Sequence, residues 1–308
     1  MLYFADEPWL AYTGPPRQEE QKGPPVAVRI YADEAGTHGG DWLIIGMLFV
    51  PDHGPLHSAL CASKENHKYY NAKPRRKARY KETHLAEFRS QRDVDVAREW
   101  FDAFAVHNCF YRSLVFDWST WDAHFFGDPF EPEALKRRRA YKKWAELLLQ
   151  PEFSTPLEGY APIRDAKFYL DRLRILYEYD VLDHLADRFS PPASYLGSSR
   201  FIASLQHTNS WADANQCLQL CDLLTGCIYQ ELVPSQNRFK LAARDSLKNR
   251  LQQLGVERLD RGYWRQYHPV SLRQKQPKFS CWFWEPEGRR DGGRRTRPPQ
   301  QPKRRRRR

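Results

Sequence analysis

Four carboxylates stand where a structural residue would be apolar. Asp33 and Glu34 close a run in which Val26, Val28, Ile30 and Ala32 alternate with Ala27, Arg29 and Tyr31. Side chains alternate across a strand, so the two acids fall on opposite sides and one of them can face a site. The same pair would equally begin a turn. Asp171 follows Phe168-Tyr169-Leu170, at the carboxyl end of a predicted buried strand, where open α/β sheets gather ligand groups; its rival role is an N-cap on the next helix. Asp222 sits in Cys217-Leu218-Gln219-Leu220-Cys221-Asp222-Leu223-Leu224-Thr225-Gly226. A carboxylate among such neighbours is costly unless it is paired, metal-bound or open to a cleft. Asn215, Gln219, Asp222 and Gly226 are spaced 4, 3 and 4 apart, which lines them up as one stripe of a helix. A stripe facing solvent would more usually carry Lys, Glu or Arg. Glu82, in Tyr80-Lys81-Glu82-Thr83-His84-Leu85, reads locally as part of a charged turn. Asp33, Glu82, Asp171 and Asp222 are separated by 49, 89 and 51 positions, so any cluster they form depends on the fold.

Basic segments offer a second chemistry. Lys64 to Lys81 holds eight basic residues and one acid, with Tyr69, Tyr70 and Tyr80 interleaved. That composition suits phosphates and stacking on bases, and equally a solvated helix face and loop. Its candidate phosphate contacts are Lys73, Arg75, Arg76, Lys77, Arg79 and Lys81. Lys136 to Lys143 reads more readily as surface helix. The net charge of +11 lies almost wholly in Gly288 to Arg308, where eleven basic residues and one acid give +10 and leave the rest at +1. A globally basic protein is therefore excluded. What remains is a balanced body with an Arg-rich tail, in which Arg304, Arg305 and Arg306 would add salt-sensitive, non-specific affinity for nucleic acid.

Composition narrows the class further. An apolar share of 41% with 14% aromatic residues is globular. The longest uncharged apolar run, Trp42 to Val50, is nine residues, about half of the ~18 that a bilayer span needs. Asp6 and Glu7 without any Lys or Arg in the first ten residues give no basic leader, and the expected compartment is cytoplasmic. Six cysteines (61, 109, 217, 221, 227 and 281) are expected reduced. The C-x3-C and C-x5-C spacings of Cys217, Cys221 and Cys227 lack the C-x2-C pairs of structural zinc sites, so buried helical thiols are expected.

The elements that must position the acids alternate along the chain. Residues 1–24 form a Pro- and Gly-rich irregular leader, 25–287 the domain, and 288–308 a disordered tail. A strand from Val26, the turn Ala35 to Gly40 and a strand over Asp41 to Val50 predict a β-hairpin. Helices are predicted after Pro55 to about Asn71, over Asp93 to His107, Glu133 to Leu149, Arg172 to Phe189, Ala214 to Leu232, and Asn237 to Leu254 with Ser235 as cap. Strands are predicted over Cys109 to Phe116, Lys167 to Asp171, Arg200 to Leu205 and Lys278 to Trp284. This order supports an α/β fold with a mixed sheet that starts with a hairpin and is flanked by helices.

At the acidic positions the chain resembles a known group. Ile30-Tyr31-Ala32-Asp33-Glu34-Ala35-Gly36 is similar to the opening Tyr-x-Asp-Glu-Ser-Gly signature of the domain-of-unknown-function 3800 family, an RNase H-like group of bacteria and phages. Leu218 to Gly226 resembles that family's late Leu-Gln-Leu-Ala-Asp-Leu-Leu-Ala-Gly helix. Between them, Glu82 to His84, Tyr141 to Trp144, the strand ending at Asp171 and the aromatic strand Phe279 to Trp284 follow in the family's order, over roughly Val26 to Pro286. Ala35 replaces the usual serine, Cys221 an alanine, and His207-Thr208-Asn209-Ser210 a lysine- or serine-rich approach. The resemblance implies an RNase H-like fold and a metal-dependent nuclease acting on DNA or RNA. Mg²⁺ or Mn²⁺, two ions, would be held by Asp33, Glu82, Asp171 and Asp222, with Glu34 in reserve. Gln219, His84 and His207 would support them, the histidines as proton shuttles. The alternative is a catalytically silent RNase H-like module that binds nucleic acid or a protein partner, including a second copy of itself, in a mobile-element or defence complex.

Overall fold

Strand β1 (Arg29–Ala35) is the hub of the molecule. It pairs antiparallel with β2 (Trp42–Val50), completing the expected hairpin. Its other edge pairs parallel with β4 (Ala166–Asp171). β2 is antiparallel to β3 (Phe110–Asp117), β4 is parallel to β5 (Ile202–Thr208), and β3 is parallel to β6 (Phe279–Phe283). The result is one six-stranded mixed sheet in the order β5-β4-β1-β2-β3-β6. This computed structural model describes residues 28–36, 42–71, 79–117, 128, 130–154, 166–171, 180, 184, 202–208, 212–255 and 278–283. At 133, 149–154, 166, 171 and 202–208 only the backbone is described. The leader over 1–24, the tail over 288–308 with Arg304, Arg305 and Arg306, the basic residues Lys73, Arg75, Arg76 and Lys77, and most of the helix expected over 172–189 lie outside the described residues.

Helices cover both faces, which is why β1 and β2 read as near-continuous buried runs and show no half-buried alternation. On one face α1 (His53–Asn66), α2 (Gln91–Val106), α4 (Gln216–Leu232) and α5 (Arg238–Gln253) share a core with Tyr31, Ile44, Leu48, Tyr111 and Val115. On the other lies α3 (Glu133–Ser154), whose buried Trp144 sits 4.4 Å from the ring of Phe116. The most apolar helix, α4, lies against β1 and β2. There the Cys221 thiol donates to the Tyr31 carbonyl at 3.2 Å. All six cysteines are free, and Cys217, Cys221 and Cys227 are buried. Among the described residues no helix is long and apolar enough to cross a membrane.

Several boundaries differ from expectation for identifiable reasons. α1 stops at Asn66, short of Asn71, because Lys68 takes a positive φ of 50° and the chain turns into an antiparallel bridge between Tyr70 and Tyr80. Lys81 N–H donates to the Tyr69 carbonyl, and Asn71 N–H to that of Arg79, so paired backbone and stacked tyrosines replace the last helical turn. α3 runs to Ser154, beyond the expected Leu149. β5 is described over Ile202–Thr208, beyond the expected end at Leu205, while Arg200 lies outside the described residues. The cap of α5 is Asn237, whose side chain accepts from the N–H groups of Phe239 and Lys240; Ser235 accepts from Asn237 N–H one step earlier.

Candidate active site

The sheet brings two of the expected acids to adjacent positions. Asp33 is opposite Gly46 in β2, shares the α4 face with Tyr31 by strand parity, and is 3% exposed. On the parallel side Ala32 pairs with Leu170. The next residues along each strand, Asp33 and Asp171, therefore occupy neighbouring positions at the carboxyl ends of β1 and β4. Asp171 in turn pairs with Thr208 of β5, and Leu170 with His207; of Asp171, His207 and Thr208 only the backbone is described. Glu34 is buried on the opposite face with Ile30 and Ala32, so the sheet itself separates its side chain from that of Asp33.

Asp222 belongs to a second line of contacts. The stripe expected from its spacing exists on α4, but it faces neither solvent nor a cleft alone: it seats a strap formed by residues 79–85. Asp213, in the 3-10 turn Asp213–Asn215 that leads into α4, accepts from the backbone N–H groups of Arg79 and Tyr80 through its two carboxylate oxygens. Gln219 Oε1 accepts from Thr83 N–H at 2.9 Å. Asp222 Oδ2 accepts from His84 Nδ1 at 2.6 Å, with the two side chains 13% and 28% exposed respectively. Gly226 leaves room for Leu85, whose Cδ2 would stand 3.0 Å from an added Cβ. The chain thus meets the stripe in order: Thr83 on Gln219, His84 on Asp222, Leu85 on Gly226. Glu82 lies partly buried in the same strap.

Cys221, one residue before Asp222, touches the sheet through the Tyr31 carbonyl. Its thiol pKa is pushed well up by burial first and then by the charges of Asp33 and Asp222. Carboxylate oxygens are the donors that Mg²⁺ and Mn²⁺ take, and the donor types fit such ions. Among the described residues, no group of three or more His, Cys, Asp or Glu side chains is arranged to hold a metal. The strand register sets the backbone of Asp171 next to that of Asp33.

The basic segment corrects part of the sequence reading. Lys64 and Tyr69 are core residues, not members of a surface patch. Lys81 pairs at 2.7 Å with Asp93, which also receives the Tyr69 hydroxyl. Arg79 is exposed, pairs with Glu65 at 2.9 Å, and lies over the rings of Tyr70 and Tyr80 at 5.2 and 5.5 Å. In the expected surface run on α3, Lys136 is buried. Sequence reasoning missed Lys64, Thr83, Asp93 and Asp213. Asp93 had a signal, since Ser90-x-x-Asp93 forms a capping box with donors in both directions; Lys64 and Asp213 had none outside the fold. Comparisons of the chain with protein-family models, with curated proteins and with solved structures found no match.

Proposed function

We propose that the chain is a metal-dependent nuclease of RNase H-like architecture that hydrolyses phosphodiester bonds in DNA or RNA, as its resemblance to the domain-of-unknown-function 3800 family implies. The observation that carries this reading is the register that sets Asp33 beside Asp171 at the carboxyl ends of adjacent parallel strands, with Asp222 on the helix crossing β1. A hairpin of β1 and β2 extended by β3, with β4 and β5 added parallel on the other side, also suits an RNase H-like sheet. Asp33, Asp171 and Asp222, with Glu82 from the strap, would hold the ions. Divalent ions bound there would supply a nucleophilic water near neutral pH and positive charge for the leaving oxygen. The chain's own residues do the rest. The buried sheet end keeps Asp33 in fixed geometry, Asp222 orients the His84 ring through Nδ1, and the partly exposed imidazole would shuttle a proton. The exposed cation of Arg79, stacked on Tyr70 and Tyr80, offers a contact for phosphate and base.

A second reading is favoured by one feature: Asp222 is already engaged by His84. On that reading the module binds nucleic acid or a protein partner without cleaving. Cleavage of single- and double-stranded DNA and RNA with Mg²⁺ or Mn²⁺ separates the two. The expected outcome is activity that falls in both Asp33→Asn and Asp222→Asn by more than the ~10–100-fold typical of losing an outer partner of a metal site. Equal activity in wild type and both variants would sink the nuclease reading.

A further inference from the structure

Lys64 stands on the last turn of α1 with no exposed surface. Its Nζ donates to the Lys81 carbonyl and to Gln219 Oε1, each at 2.7 Å. The rings of Trp100, Tyr69 and Tyr80 lie 4.9, 5.7 and 5.9 Å from it, within the range at which ring faces attract a cation. Cys61, Glu82, Asp213 and Lys81 are the titratable groups that act on it, and burial brings its pKa down to about 7. An aliphatic side chain would fill this space without the cost of burying an ammonium. What the ammonium adds is a cross-link. It binds the carbonyl of Lys81 to the same glutamine oxygen that receives Thr83 N–H, so the residues on both sides of Glu82 are fixed to α4. His84 comes next, 2.6 Å from Asp222.

We propose that Lys64 is a positioning residue of the candidate site: through the Lys81 carbonyl and Gln219 it holds the strap in the place where His84 meets Asp222. This rests on reading His84 and Asp222 as site residues, and it holds whatever reaction they serve. The test is proton NMR on the full chain without metal or nucleic acid. The short His84–Asp222 bond gives the Nδ1 proton a downfield resonance, assigned by its loss in Asp222→Asn. In Lys64→Met the expected result is an unchanged near-ultraviolet dichroism spectrum, loss or broadening of that resonance, and about a tenfold fall in amide protection over residues 81–84. A resonance and protection that match the wild type overturn the proposal, as does a wild type without the resonance. If Lys64→Met does not fold, Gln219→Met, which removes the shared acceptor and keeps the lysine, must lose the resonance; its retention there overturns the proposal. Absence of cleavage in every protein would count against the nuclease reading and leave this outcome intact.

Discussion

Asp93→Ala is expected to destabilise the fold by about 2–3 kcal/mol at pH 7, the upper part of the range for leaving buried hydrogen-bonding groups without their partner. Asp93 is 1% exposed at the start of α2. Its two oxygens accept from Lys81 Nζ, the Tyr69 hydroxyl, the Ser90 hydroxyl and the backbone N–H groups of Arg89 and Ser90, all between 2.7 and 2.9 Å. Removing the carboxylate leaves these donors without their acceptor; of them the Tyr69 hydroxyl is buried, while Lys81, at the edge of an open pocket, can turn to water. Burial alone would raise its pKa, but the donors from Lys81, Tyr69, Arg89 and Ser90 outweigh burial and hold it well below the usual carboxylate range. The sign of the pH dependence follows. A folded value below the unfolded one, about 3.9, gives a contribution that is complete above roughly pH 4 and is lost as the pH falls toward the folded value. Urea unfolding of wild type and variant should therefore show a gap that is constant near neutrality and narrows below about pH 4. Asp95→Ala is the control: Asp95 pairs at 3.4 Å with Arg98 on the exposed side of the same helix, and its loss should cost less than about 1 kcal/mol. Equal effects of the two variants would contradict this account of the capping box.

Gly46→Ala should cost about 2–4 kcal/mol, the upper part of what overpacking a core produces. Gly46 pairs with Asp33 across the hairpin. Above it the Tyr111 and Thr225 hydroxyls share a hydrogen bond of 2.8 Å. A Cβ built on Gly46 would stand 2.2 Å from Thr225 Oγ1 and 2.3 Å from the Tyr111 hydroxyl. α4 then has to lift from β2 or the hydrogen bond has to break, and α4 carries Asp222. The variant is therefore expected to weaken the site as well as the fold. Gly54→Ala, in α1 with no atom within 4 Å of the added methyl, should be neutral or stabilising by up to about 1 kcal/mol. Thermal melts of the two variants decide the matter, and a Gly46→Ala protein as stable as wild type would show that α4 is not seated on the sheet at this point.

The hairpin, the six-strand order of elements and the α4 stripe were legible because each is a local pattern. Alternating or continuous apolar residues mark strands, and spacings of 3 and 4 mark a helix face, whatever the rest of the chain does. The meaning of the stripe was not legible. Its partner, Thr83-His84-Leu85, lies more than 130 positions away, and nothing local in Glu82 or His84 distinguishes a strap from a surface turn. The basic segment misled for the opposite reason. Its composition is that of a phosphate-binding face, yet Lys64 and Tyr69 point into the core, where Gln219 and Asp93 receive them. Burial of a lysine is a tertiary fact that no periodicity announces. The end of α1 failed similarly: residues 67–71 could continue a helix, but the tyrosine pair at 70 and 80 selects the bridge. By contrast, the strand-end placement of Asp33 and Asp171 was legible locally, and the parallel register of β1 with β4 sets their backbones side by side.

Calorimetric titration of Mn²⁺ into the full chain tests the proposed carboxylate site most directly, because it needs no knowledge of the substrate. The expected result is saturable binding in the wild type that is lost in Asp33→Asn and in Asp171→Asn, with both variants retaining the wild-type dichroism spectrum. Absence of saturable binding in the wild type, or equal binding in all three proteins, would contradict a metal site built on the ends of β1 and β4.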